Sequence, residues 1–318
     1  MNMREAVPLR QFSVFQVGGP ADYFVQIKER NDLLNAIEFS EKKKLPIFVM
    51  GDATNILFSE KGFRGLVIKM ENDKVHEEKR EAFFVESGKR NSILCQELQE
   101  KGRDFSSFFT VPGTIGGAIA GNAGLWGASI EQYLEEVEVC DVREKKFRKI
   151  PADFFRFEHR RTVFHDEPDL RGRVVIWSAV LRFPKGSPKD IFERAESILN
   201  MRREEDAWGE RGGSIFRSLP DGDIRVYLDL FRGKQWENIS VSEKNPNFFR
   251  NEGGALQKDF LLVAREIAVE VDRVYGIRLQ TEVRIIDEFG LEIPLFKDDI
   301  HKGLQCTYTI SSLEVPLL

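Results

Sequence analysis

The rhythm of apolar and polar positions changes twice along the chain. "YFVQIKE" (23–29) alternates, as a strand with one covered face does, whereas "NDLLNAIEFSEKKKL" (31–45) repeats its apolar residues at helical spacing. Asn31 stands where its side-chain oxygen would accept an unpaired N–H at the helix start, and Pro46 ends the run. "PIFVMG" predicts the next strand, "GDATN" (51–55) a tight turn and "GLVIKM" another strand. Residues 1–70 therefore predict a small α/β unit.

Residues 71–200 hold more strands than helices. "AFFVESG", "LEEVEVCDV", "KFRKI" and "RVVIWSAVLRF" predict strands, and "SILCQELQEKG" predicts a short amphipathic helix closed by Gly102. Residues 188–206 return to helical spacing at Ile191, Ala195, Ile198 and Leu199, and their charged end reads as a boundary. Beyond it, "RGGSIFRSLPDG" and "ISVSEKNPNFFRN" mix strand with turn. "DFLLVAREIAVEVDRVYG" predicts a strong amphipathic helix stopped by Gly276, and "LQTEVRII" a last strand. Residues 201–288 thus predict a separate, lid-like α/β domain, while 289–318 is weakly patterned and unplaced.

Composition narrows the class. The 318 residues suit two or three domains, and a net charge of −5 offers no basic excess to recruit nucleic acid. No apolar run nears the roughly 18 residues of a membrane span, and "MNMREAVPLRQF" lacks the apolar stretch of a signal peptide. Cys95, Cys140 and Cys306 are odd in number and far apart, which reads as free thiols in a reducing cytoplasm. His76, His159, His165 and His301 have no metal-ligand spacing, so no metal site is expected.

"VPGTIGGAIAGNAG" (111–124) carries five glycines and no charge, yet matches neither G-x-G-x-x-G nor a lysine-bearing phosphate loop. Glycines at 113, 116, 117, 121 and 124 let the main chain approach a ligand and offer N–H donors. Close packing of a helix on a sheet demands the same small residues, so spacing leaves both readings open. The "GDATN" turn is equally ambiguous between a phosphate-holding loop and a plain β-turn.

Seven segments in order carry a resemblance: "FSVFQVGGPADYFV", "GDATNILFSEKGFRGLVI", "VPGTIGGAIAGNAGLWG", "HRRTVF", "GGSIFRS", "VSEKNPNFFRN" and "LQTEVR". Together they resemble the UDP-N-acetylenolpyruvoylglucosamine reductase family over roughly residues 5–287. The resemblance implies an α+β fold, with a two-part FAD-binding region of the vanillyl-alcohol oxidase (PCMH) type, 1–70 and 71–200, followed by the smaller substrate-binding domain. It implies that noncovalent FAD is held by Gly51, Asp52, Ala53, Thr54 and Asn55, and by Pro112, Gly113, Thr114, Gly116, Gly117, Asn122, Ala123 and Gly124, with Arg284 added. It further implies NADPH and a UDP-sugar nucleotide as partners, with no nucleic acid, no membrane and a monomeric state.

Three positions match the family's catalytic residues: Arg160 in "HRRTVF", Ser214 in "GGSIFRS" and Glu282 in "TEVR". Hydride addition to the terminal carbon of an enolpyruvyl ether drives negative charge onto its carboxylate. Arg160 would fix that charge, Ser214 would protonate the adjacent carbon with help from Arg217, and a protonated Glu282 would donate a hydrogen bond to the anion. Against the family's pattern stand His159 for a tyrosine, Arg217 for a lysine, Ser218 for an asparagine, Asn245 for a histidine and Ala53 for a glycine. Arg217, Ser218 and Asn245 fall on the substrate side, which keeps open a flavoprotein of the same fold with another substrate, or a divergent copy with reduced activity.

Overall fold

The computed structural model describes residues 1–78, 81–205, 212–219 and 222–296. His301, Cys306 and the tail from 297 lie outside the described residues. The first part contains β1 (Arg4–Pro8), β2 (Pro20–Ile27), α1 (Arg30–Lys43), β3 (Ile47–Met50), β4 (Ile56–Phe58) and β5 (Phe63–Met70). Four strands form a sheet in the order β1-β2-β5-β3, with β5 parallel to both neighbours. Parallel strands need a crossover, and α1 carries the chain over the sheet from β2 to β3. β5 is apolar on both faces because both are covered: Val67 packs among Phe24, Phe48 and Phe63, while Leu66 and Ile68 meet Leu33, Ala36 and Ile37 of α1.

Two local expectations are corrected here. The first long strand runs Pro20–Ile27 rather than 23–29, and α1 begins at Arg30, so Asn31 lies inside the first turn and Glu29 holds the cap position without a side-chain bond. The early start has a physical cause. Arg30 stacks over Phe147 at 4.4 Å and contacts Glu138 at 2.5 Å, which pins the first helical residue to the second part of the molecule.

That second part contains β6 (Val75–Glu77), β7 (Ala82–Glu86), α2 (Asn91–Glu100), α3 (Ile115–Gly121), β8 (Gly124–Leu125), β9 (Ala128–Ser129), β10 (Leu134–Asp141), β11 (Lys146–Pro151), α4 (Val163–Asp166), β12 (Val174–Arg182) and α5 (Pro188–Glu204). Its sheet is antiparallel throughout, in the order β11-β10-β12-β7-β6. One face packs on α2 and α3 through Val85, Leu94, Leu98, Ile115 and Ile119. Cys140, Val175 and Trp177 lie in the α1 core, so the first two parts share apolar packing. On α5, Ile191 and Ala195 are buried, but Ile198 and Leu199 are only partly so.

The third part contains β13 (Gly212–Ser214), α6 (Arg225–Leu228), β14 (Ile239–Val241), β15 (Phe248–Asn251), α7 (Gln257–Tyr275) and β16 (Arg284–Ile286). A three-stranded antiparallel sheet, β13-β15-β14, shares a core with α7, which buries Phe260, Ala264, Ile267 and Val271 at helical spacing and ends at Gly276 with φ +66°. β16 does not join that sheet; it pairs in parallel with β4 of the first part. Phe15, Val17, Leu57 and Leu295 also belong to the third core. The domain drawn as 201–288 therefore draws chain from both sides of those limits.

Candidate active site

Two loops interlock before any catalytic residue is placed. A Cβ on Gly51 would stand 2.3 Å from Thr114 Oγ1, and one on Gly113 would stand 3.1 Å from Thr54 Oγ1. Loops 51–55 and 112–124 therefore touch, and glycine is what lets them. The two readings of the glycine stretch turn out to apply to different glycines. Gly116 lies against Ser87 and Gly124 against the Ala128 carbonyl, where an added Cβ would come within 2.8 Å and 2.0 Å. Gly121 meets nothing within 4 Å, and Gly117 only Thr114 Oγ1 at 3.6 Å. At those two no close packing calls for glycine, although the Gly117 N–H donates to Thr114 Oγ1 at 3.4 Å.

Asn122 ends α3 in a left-handed conformation, φ +45°. From there its Nδ2 donates to the Glu158 carbonyl at 2.8 Å, while its Oδ1 is buried without a partner. Thr162 Oγ1 donates to the Ala120 carbonyl at 2.7 Å, so the glycine segment holds both ends of the 158–162 turn. Ala123 donates to the Ala118 carbonyl at 2.8 Å and closes the helix end. The expected FAD residues also include Asp52, which faces Arg90 at 2.9 Å and Lys69 at 3.5 Å. Ala53 takes φ +50° where the family's pattern has glycine. The arrangement fits FAD: the two loops meet, no close packing accounts for Gly117 and Gly121, and a buried acceptor at Asn122 awaits a donor.

Glu158 and Arg161 exchange backbone bonds of 3.0 and 3.1 Å, which closes a tight turn with His159 and Arg160 at its corner. Arg160 has φ +54°, a conformation costly for a side chain of its kind. One guanidinium nitrogen donates to the Gly124 carbonyl at 2.7 Å, and Nε lies 3.9 Å from Glu282 Oε1. Glu282, expected to donate to an anion, thus faces a cation.

The Glu282 backbone is fixed from both sides. Its N–H donates to the Ile215 carbonyl at 2.8 Å, its own carbonyl accepts from Asn55 Nδ2 at 3.0 Å, and Arg284 donates to the Asn55 carbonyl at 3.1 Å. Residues 280–284 therefore run from the chain just after Ser214 to the 51–55 loop. Ser214 ends β13, and its hydroxyl has no hydrogen-bond partner among the described residues. Asn247, which the sequence reading missed, holds the backbone of Phe216 through both ends of its amide, at 2.8 Å each.

The remaining expected residues divide. Ser218 Oγ lies 2.8 Å from His159 Nε2, so two departures from the family's pattern meet. Arg217 turns its guanidinium toward Gln280 at 3.4 Å, with Nε buried and unpaired. Asn245 is built into a turn instead: it is buried, its Oδ1 accepts from Asn247 N at 3.1 Å, and its carbonyl accepts from Phe248. Arg284 shares Glu292 Oε1 with Arg171, although it was expected to serve the cofactor. Partial burial would raise the Glu292 pKa, but Arg284 and Arg171 outweigh it and bring it to about 2. No cluster able to hold a metal occurs among the described residues, and a groove of about 560 Å³ beside Phe231 and Arg265 includes none of the site residues.

Comparison with known proteins points the same way. Residues 21–145 match an FAD binding domain, and residues 210–286 match the C-terminal domain of UDP-N-acetylenolpyruvoylglucosamine reductase. The solved UDP-N-acetylenolpyruvylglucosamine reductase of Thermus caldophilus superposes with a TM-score of 0.74 over 89% of this chain and 99% of that one, at 23% identity. The two therefore share a fold. The reductase of Rubrobacter xylanophilus is 29% identical over 286 residues, which is 88% of this chain and 94% of that protein. That of Aquifex aeolicus is 30% identical over 296 residues, or 89% of this chain and 95% of its own length. With both matched domains in order and near-complete coverage on each side, the chain belongs to the UDP-N-acetylenolpyruvoylglucosamine reductase family.

Proposed function

We propose that this protein reduces the enolpyruvyl group of UDP-N-acetylglucosamine enolpyruvate to give UDP-N-acetylmuramate, with FAD and NADPH, in peptidoglycan precursor synthesis. The observation that carries the reading is the meeting of Arg160 and Glu282 beside the backbone that follows Ser214, against the interlocked glycine loops. FAD, when bound and reduced by NADPH, would supply the hydride for the terminal carbon of the substrate's double bond. Loops 51–55 and 112–124 would hold it, with Asn122 as a side-chain acceptor.

Everything else falls to the chain's own groups. Arg160 takes the substrate carboxylate and stabilises the charge that gathers there, which a fixed fork does without reorganising. Ser214 gives its hydroxyl proton to the carbon beside that carboxylate, and no partner among the described residues holds its oxygen back from the task. Glu282 lies where the carboxylate would arrive, between Arg160 and the chain after Ser214. We also assign to the protein a monomeric state and a cytoplasmic setting; among the described residues no helix is long and apolar enough to cross a membrane.

The test is NADPH oxidation that depends on the enolpyruvyl nucleotide. A yellow protein that oxidises NADPH only with oxygen or dyes, and never with the nucleotide, would sink the reading. Acid precipitation should leave the flavin in the supernatant, as noncovalent binding requires, and colour retained in the pellet would contradict it.

A further inference from the structure

The pyrophosphate of FAD is an anion, yet the two loops that would hold it carry no cation: residues 111–124 are uncharged, and 51–55 add only the negative Asp52. Backbone N–H groups can hold phosphate, but a carboxylate beside them works against it unless a cation answers it. Two cations face Asp52. Lys69 Nζ stands 3.5 Å from one carboxylate oxygen, and Arg90 Nε stands 2.9 Å from the other. Lys69 is already engaged: its nearer partner is Glu71, at 2.8 Å, and only 11% of its side chain is exposed. Arg90 differs on both counts. Its side chain is 60% exposed, and among the described residues that side chain has Asp52 as its one charged or hydrogen-bonded partner, at Nε. Both terminal nitrogens of the guanidinium remain uncommitted, and N–H groups in one plane suit phosphate oxygens.

The backbone places this cation at the seam of the cradle. Arg90 pairs with Thr114 in an antiparallel bridge, with the Asn91 N–H donating to the Gly113 carbonyl at 3.0 Å and the Ile115 N–H to the Lys89 carbonyl at 2.9 Å. Thr114 is also the residue that a Cβ on Gly51 would strike. Main chain thus ties Arg90 to the glycine segment and side chain ties it to the 51–55 turn, where the two loops touch. We propose that Arg90 binds the pyrophosphate of FAD and supplies the positive charge that neither loop contains, while Asp52 holds its Nε and leaves the other two nitrogens for the phosphates. The assignment rests on FAD lying in this cradle.

Arg90→Gln, Arg90→Lys and Asp52→Asn are compared with wild type as full chains stripped of flavin, with FAD binding followed by the quenching of its fluorescence at several salt concentrations. Arg90→Gln should raise the Kd for FAD about 10–100-fold, the effect of losing a charge-assisted hydrogen bond, and should flatten its salt dependence. Arg90→Lys should recover part of the affinity, as a point charge without the fork. Asp52→Asn breaks the same ion pair but spares the cation and removes a like charge, so it should tighten FAD binding. Weakening in Asp52→Asn to match Arg90→Gln would make the pair a structural tie between the loops and overturn the proposal. An unchanged Kd or an unchanged salt dependence in Arg90→Gln would do the same. NADPH and UDP also carry a pyrophosphate. With FAD saturating, the UDP inhibition constant and the NADPH concentration that half-saturates flavin reduction should not move in Arg90→Gln; a shift in either with the FAD Kd intact would assign the arginine to those ligands and sink the proposal. A wild-type chain that binds no FAD overturns the cradle itself, whereas wild-type binding with an unaffected Arg90→Gln overturns this proposal alone.

Discussion

Arg160 combines a side chain proposed to meet the substrate with a backbone that resists it. At φ +54° a glycine would be more comfortable. Arg160→Gly relieves the backbone and loses the bond to the Gly124 carbonyl, so stability in denaturant should stay within about 1 kcal/mol of wild type. Reoxidation by substrate should collapse all the same, since the charge is gone. A large loss of stability would show that the guanidinium holds the turn rather than the substrate. Ser214→Ala isolates the proton: its hydroxyl has no partner to orphan among the described residues, so folding should change by less than about 0.5 kcal/mol. Flavin reduction by NADPH should be untouched and reoxidation slowed roughly 10²–10⁴-fold. Equal slowing of both halves would make the serine a shaping group. Arg160, Ser214 and Glu282 could be picked out in the sequence as candidates because they sit in ordered motifs. The left-handed turn was not legible there, since arginine gives no sign of positive φ. Nor was the partial burial of Arg202, because "MRREED" reads as a solvated helix end.

The elements differ in how far their pattern reached. β3, β5 and α7 followed directly from alternation and helical spacing, with Gly276 stopping α7 as its position implied. The strand at 284–286 was also expected, but its partner was not: period fixes that a segment is extended, never what it pairs with. The same limit hid the contact between the 158–161 turn and the segment after β13, where His159 meets Ser218. Two departures that touch should act as one. A double-mutant cycle with His159→Tyr and Ser218→Asn, which restores the family's residues, should show a coupling of about 0.5–3 kcal/mol in kcat/KM for the nucleotide. Additive effects would mean that the contact plays no part in recognition, and that substrate choice is set elsewhere.

On the scale of the whole molecule, stability should depend on pH through one partly buried polar contact. His165 accepts a backbone N–H from Thr162 at 3.1 Å through Nδ1, which requires that nitrogen to be unprotonated. Burial, helped by Arg171 and Arg217, lowers its pKa to about 4. The unfolded chain therefore binds this proton first, so stability should be full above about pH 6.5 and fall as pH drops toward 4. Thermal unfolding across that window should show the slope, and His165→Gln, which can still accept the N–H, should flatten it. An unchanged slope would place the titration elsewhere. The clasp between Asn55 and Glu282 has a different consequence. It joins residues 227 apart in the chain, and the parallel pairing of β16 with β4 lies beside it. During synthesis on the ribosome β1, β2, β5 and β3 would all be made long before β16 emerges, leaving β4 without its partner strand for the more than 220 residues between them. A nascent chain cannot assemble the whole of the proposed cofactor cradle by capturing flavin early; that step waits until the codons for residues 282–286 have been read.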